Sequence, residues 1–279
     1  MEDLLPIRLG PAFWRGVAAL GGLGFFLLLE QLFRFRAPTD SKHRRFWVNA
    51  GMALLNAAVL AVLFGDLFPK LARFTAARGI GLFHLLALNP SQNILLSVVL
   101  LDLLTYFWHL ANHYFPLFWR LHRVHHSDPD LDVTSAFRFH LGEILLSALL
   151  KLPLVVVLGI GFPGLIVFEA SLLFAAQFQH SNLRLPETID RVVRLIFVTP
   201  TMHRSHHSVR RSETDTNFGT IFSLWDRLVG SYRIVADQEK IVIGLAEYAR
   251  PSELTFPRLL FLPFERNFRP RGLAVDSGE

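Results

Sequence analysis

The 279-residue chain contains no cysteine. That absence removes disulfides, thiolate nucleophiles, iron–sulfur clusters and cysteine-type zinc sites together. Charge is also scarce. Asp, Glu, Lys and Arg make up 18% of the residues, against about a quarter in an ordinary soluble domain. With 52% hydrophobic residues and a mean hydropathy of +0.37, the chain would bury itself at any opportunity, which excludes disorder. No internal repeat or low-complexity tract is present. No His-Glu-x-x-His occurs, which weighs against a zincin-type protease. The paired Glu-x-x-His motifs of soluble di-iron bundles are missing too. The formal charge of +5 and the isoelectric point of about 10.0 could suggest nucleic acid. The arginines lie beside long apolar runs, however, where the positive-inside rule explains them better.

Those apolar runs decide the fold class. A hydrocarbon slab about 30 Å thick needs ~20 mostly apolar helical residues. Five stretches meet or approach that length: 16–33, 46–68, 93–115, 141–160 and 162–179. Five such runs leave too little polar surface to cover them in a soluble domain. The expectation is an all-α, polytopic membrane bundle of about four or five transmembrane helices carrying a cytoplasmic, histidine-rich cap. Pro163 and the glycines around it make a tight turn, so the last two runs read as a helical hairpin. The connector 34–45 carries Arg34, Arg36, Lys42, Arg44 and Arg45 and should face the cytoplasm. Counting onward, the segments after the third and fifth runs return to that side. Lys70, Arg73 and Arg78 then fall on the wrong side, so 67–88 reads as interfacial or re-entrant. The N-terminal run is long and lacks an A-x-A cleavage pattern, so it reads as a retained helix. An amphipathic helix is expected near 187–198. The Pro- and Arg-rich end, including 254–264, suits a membrane surface. The expected organisation is N-terminal helices and connector over 1–90, a catalytic domain over 91–235 and a tail over 236–279.

The chain is rich in one chemically active residue. Twelve histidines are present, ten of them between His109 and His207. His109 and His113 are four apart near the end of the third run, which puts both rings on one helical face. His122-x-x-His125-His126 and His203-x-x-His206-His207 place three rings on one face if helical. Thr199-Pro200 supplies a start for the last of these, threonine as N-cap and proline at the first helical position. Eight imidazoles are too many for one metal ion and suit two, at roughly four each. Imidazole accepts iron, zinc and copper alike, so residue type does not name the metal. His43 and His84 stand alone and read as ordinary histidines. His140 and His180 sit at the same expected boundary and are further candidates, as ligands or as residues behind them. Acids inside membrane helices are costly and usually face a partner. Asp102 lies seven residues before His109, and Glu169 eleven before His180, so each points to the side of its histidine. Both are candidate supporting residues.

The runs Trp119-Arg-Leu-His-Arg-Val-His-His-Ser127 and Thr199-Pro-Thr-Met-His-Arg-Ser-His-His-Ser208, with Asn217-Phe-Gly219, 224–230 and Tyr232, resemble the fatty acid hydroxylase/sterol desaturase superfamily. The resemblance covers about residues 100–232. It implies an integral membrane oxygenase with a non-haem di-iron site at the cytoplasmic surface, adding hydroxyl groups or double bonds to lipids with oxygen and external electrons. It also implies that His109, His113, His122, His125, His126, His203, His206 and His207 are iron ligands. Many members carry a further histidine pair between the second and last clusters; here His180 stands there, with Gln177 and Gln179.

No nicotinamide fingerprint, flavin motif or fused haem domain is visible. Electrons are therefore expected from a separate cytochrome b5-, ferredoxin- or reductase-like protein, docking near Arg120, Arg123, Arg204, Arg210 and Arg211. The expected cofactors are two iron ions, with zinc an occupant in isolated protein. Two other readings stay open: a zinc-dependent membrane hydrolase or lyase, and a lipid- or metal-binding membrane protein without turnover. Composition and spacing leave the lipid itself undetermined.

Overall fold

The computed structural model describes residues 11–248 and 251–265. Each apolar run becomes a helix, and local chemistry sets the ends. Helix α1 spans Pro11–Leu32, α2 spans Lys42–Phe64, α5 Pro90–Tyr114, α7 Leu141–Leu158 and α8 Phe162–His180. Asn89 and Gln92 close a reciprocal capping box at the start of α5, with Pro90 in the first turn. Gly159, at φ +72°, takes the left-handed conformation that ends α7. Four stretches are long and apolar enough to cross a membrane: Lys42–Leu85 taken as one, Pro90–Tyr114, Leu141–Leu158 and Phe162–His180; Gly16–Leu32 is a shorter apolar helix. The chain is a multi-pass membrane protein. Among the described residues there is no strand, only three isolated bridges.

Helix α8 packs between α1 and α5, and α7 packs against α2. One end of the bundle is an apolar core built from residues including Phe64, Phe68, Leu101, Val155, Ile160 and Phe168. The Lys70–Arg78 region lies at this end, in the short helix α3 (Leu67–Arg78) followed by α4 (Leu82–Leu85). Phe68, Ala72 and Thr75 of α3 are buried, while Lys70, Arg73 and Arg78 are exposed. At ~18 Å, twelve residues do not cross a bilayer. The turn between α7 and α8 meets this segment: Asn93 Nδ2 donates to Gly159 O at 3.1 Å, and Gly81 lies against Gly159.

The other end is polar. The basic connector and both H-x-x-H-H segments gather here: Arg34 bridges to Leu183, Arg36 donates to Ile241 O and Arg45 to Asp128. Helix α6 (Pro116–His126) follows α5 around a corner at Phe115, and α9 (Glu187–Val193) and α10 (Pro200–His206) follow α8. One expectation changes here. The amphipathic helix stops at Val193, because Phe197 and Val198 pair with the 221–222 backbone instead. Residues 254–264 form α11, a short helix over Phe256–Phe261, and a following turn. Leu254, Leu259 and Leu262 are buried with Met52 and Val124. The end of the chain from residue 266 lies outside the described residues.

Candidate metal centre

A buried ionic network braces the loop after α6. The Arg45 guanidinium donates to Asp128 Oδ1 at 2.7 Å, to Asp132 Oδ2 at 2.6 Å and to Ser135 Oγ at 3.1 Å. Burial pushes the Asp128 carboxyl up, but Arg45 and Arg138 outweigh it and hold it well below the usual carboxylate range. Arg138 donates to Val124 O and Ser127 Oγ, tying down the carbonyl end of α6. Asn49 of α2 donates to Thr134 Oγ1 at 2.9 Å, docking the second helix on the same loop.

On this frame nine imidazoles converge in two adjoining groups. His109, His113, His122, His126 and His206 form one; His125, His180, His203 and His207 form the other. Within each group the nitrogens lie within 4.8 Å of one another. The two H-x-x-H-H motifs are used reciprocally. His122 and His126, four apart, go to the first group while His125 goes to the second. His203 and His207 go to the second while His206 goes to the first. One helix turn separates the i and i+4 rings, and the i+3 ring lies on the other flank of that stripe. Each motif therefore serves both groups rather than one. His126 and His207 stack at 4.3 Å, so the groups share a wall.

Carbonyl and carboxylate oxygens sit behind most rings of the five-membered group. His109 Nδ1 donates to Phe218 O at 2.8 Å, His206 Nδ1 to Thr216 O at 2.7 Å and His122 Nδ1 to Glu143 Oε1 at 2.8 Å. His113 Nδ1 lies 3.3 Å from Asp215 Oδ1. These bonds fix the tautomers and make Nε2 the nitrogen that could hold a metal. In the other group His180 Nδ1 donates to Ala176 O at 2.7 Å. Its bare Nε2 therefore faces His125 Nε2 at 3.0 Å and His203 Nε2 at 2.9 Å, and His203 Nε2 lies 3.1 Å from His207 Nε2. Metal–nitrogen bonds of about 2.0–2.1 Å in a tetrahedron would put such atoms about 3.4 Å apart. A cation at the centre satisfies all four lone pairs at once, so the donor set fits a metal. Burial above all, then neighbouring imidazoles, holds His125, His126, His203, His206 and His207 well below the ordinary histidine value. Neutral rings are the form that binds metal.

Every histidine that the resemblance implied as a ligand lies in one of the two groups, and His180 joins them. His140 does not. Its Nδ1 accepts from Gly142 N at 3.0 Å, and its Nε2 meets Leu260 O, so it caps α7. Asp102 touches no imidazole. Its carboxylate accepts from Ile221 N, Phe222 N and Trp225 Nε1, at 2.8–3.1 Å, and so shapes the turn that presents Phe218 O to His109. Glu169 is half-buried on α8, outside both groups. Thr199 and Pro200 start α10 as expected, but no side-chain cap bond forms there. Of the arginines expected at a docking face, Arg123 and Arg204 are buried. Arg123 donates to Leu262 O, and Arg204 packs 3.7 Å over the Phe35 ring. Glu143 and Asp215 were not singled out by sequence. Glu143 reads as one charge in an apolar run, and Asp215 lies 102 positions from His113; the one signal was that intramembrane acids seek partners.

The profile of the fatty acid hydroxylase family matches residues 94–231. The chain is 28% identical to an ornithine lipid hydroxylase of Rhizobium tropici, over 78% of this chain and 67% of that protein. It is 30% identical to human alkylglycerol monooxygenase, over 50% of this chain and 30% of that protein. It is 24% identical to human cholesterol 25-hydroxylase, over 51% of this chain and 52% of that protein. The chain thus spans about half or less of the two human relatives. No solved structure matches it significantly. With both H-x-x-H-H motifs inside the matched segment, residues 94–231 place the chain in the fatty acid hydroxylase family.

Proposed function

We propose that the protein is a membrane-bound di-iron oxygenase that hydroxylates a lipid chain with dioxygen and electrons from a separate donor. The observation that carries this reading is the convergence of nine imidazoles, eight of them buried, into two adjoining groups. An ion held by His109, His113, His122, His126 and His206 and another held by His125, His180, His203 and His207 would form the pair. A bound iron pair supplies the redox chemistry of dioxygen reduction and C–H oxidation. The overall balance is one C–H bond, one dioxygen, two electrons and two protons giving an alcohol and water.

The chain's own residues bind, orient and enclose. Nδ1–H bonds to Phe218 O, Thr216 O and Glu143 hold the rings in register. Phe139 stacks on His125 at 4.1 Å, and Phe218 and Trp119 pack on His113 at 5.0 and 5.2 Å, walling the rings with apolar surface. The lipid reading is supported by the membrane-spanning helices and by a groove of about 420 Å³ between α1 and α8. Gly21, Gly22 and Phe25 line one side, Ala170, Ser171 and Phe174 the other. Helix α8 carries both the groove and His180, so an acyl or alkyl chain lying there would run toward the four-histidine group. Gathering of the basic connector at the histidine end supports a cytoplasmic site. Supplementary supports of the centre, on this reading, are Asp102 through the Phe218 turn and Glu169 through α8.

The test is lipid profiling of cells with and without the gene under isotopically labelled oxygen. The expected product is a lipid one labelled oxygen heavier, absent in the deletion and in a His203→Ala variant. An unlabelled product, or an unchanged profile with metal bound, would overturn the reading.

A further inference from the structure

The two histidine groups differ in what holds their rings from behind. In the five-membered group, His109, His206 and His122 are anchored at Nδ1 by Phe218 O, Thr216 O and the Glu143 carboxylate, and His113 faces the Asp215 carboxylate. Glu143 is itself fixed, since Asn112 Nδ2 donates to the same Oε1 at 3.2 Å. In the four-membered group His180 alone has such an anchor among the described residues. The Nδ1 atoms of His125, His203 and His207 are buried without a hydrogen-bond partner there. His125 is positioned by stacking on Phe139 and His207 by stacking on His126, contacts that fix a plane but not a tautomer. An anchored Nδ1–H presents its Nε2 lone pair ready-made, and a carboxylate acceptor makes that nitrogen more basic. An unanchored ring must settle its proton and rotation as it binds.

Resting on the two-ion reading above, we propose that the two metal positions are unequal. The five-histidine position retains its ion, with Glu143 the positioning residue that fixes His122, and the four-histidine position exchanges its ion readily. Ligand number and outer anchoring act in the same direction. Loss of such an outer partner typically weakens metal affinity about 10–100-fold.

The test is iron release from the iron-loaded full chain in detergent under excess chelator, counted by elemental mass spectrometry over time. Wild type should lose its iron in two equal phases whose rates differ at least ~10-fold. Glu143→Gln should quicken the slow phase about 10–100-fold and leave the fast phase unchanged. His180→Gln should remove the fast phase and spare the slow one. Gel filtration and near-ultraviolet circular dichroism check that each variant is folded. If Glu143→Gln fails to fold, Asp215→Asn, at a partly exposed carboxylate, carries the same comparison. A single phase in wild type, or a Glu143→Gln effect confined to the fast phase, overturns the inequality. A wild-type chain that takes up no iron instead overturns the di-iron reading itself.

Discussion

Asp102 shows how far a single buried carboxylate can act. It lies about two helical turns below His109, yet its two oxygens accept three donors from the 221–225 segment. Asp226 completes that turn, accepting from Phe218 N, Gly219 N and Ser231 Oγ. Asp102→Leu would leave three buried donors without an acceptor, at about 1–3 kcal/mol each before relaxation. The expected outcome is a loss of at least ~3 kcal/mol in stability and lower iron content, read by thermal unfolding in detergent and by metal analysis; full iron content with an unchanged melting midpoint would contradict the role. Protons act on the site as well. His125, His126, His203, His206 and His207 resist protonation in the folded chain, whereas in the unfolded chain they take up protons near the ordinary value of 6.5. Stability of the metal-free protein should therefore be full above about pH 7 and fall as pH drops, each ring adding up to about 1.4 kcal/mol per pH unit. A melting midpoint that stays flat from pH 7.5 to 5 would contradict this. At this scale the histidines were legible because repeated spacing marks them. Glu143 and Asp215 were not, because nothing local says which ring a distant carboxylate will meet.

The helices explain the division of the histidines. A stripe of i and i+4 rings on α6 serves one group and the matching stripe on α10 serves the other, while each motif's i+3 ring crosses over. Spacing showed that the rings share a helix face, but assigning them needed the crossing of α6 and α10, a tertiary fact. His180 was legible as a helix-end histidine. His140 looked the same in sequence, but the chain turns there to begin α7 and uses the ring as a cap. Helix α1 and its groove lend themselves to a direct test. A Cβ at Gly21 meets nothing within 4 Å, so Gly21→Phe fills the groove without touching the core. It should leave iron content unchanged while reducing turnover on long chains more than on short ones, as measured by product analysis across chain lengths. Gly22→Ala differs: its Cβ would fall 1.9 Å from Gln177 Oε1, so the amide must move and give up its bond to Ala19 O. About 1 kcal/mol of stability should go with it, seen in the same thermal assay.

For the whole molecule, apolar run length and arginine placement made the helical bundle legible, since bilayer thickness and backbone hydrogen bonding leave few alternatives. Less legible was the buried ion network of Arg45, Asp128, Asp132 and Arg138, which joins α2 to the loop after α6 across more than eighty positions. Burial of Arg123 and Arg204 leaves Arg210 and Arg211 as the exposed basic residues nearest that expectation, with Arg211 bound to the Asp215 that backs His113. Arg210→Glu should slow turnover driven by an acidic protein donor and spare turnover driven by a small chemical reductant; equal effects on both would contradict a docking role. The central claim is that these imidazoles hold two ions, one in each group. Iron counted per chain after anaerobic reconstitution tests it most directly. One ion per group in the wild type, and one fewer in His203→Gln with the remainder retained, is the predicted result. No bound iron, or a count that His203→Gln leaves unchanged, would contradict it.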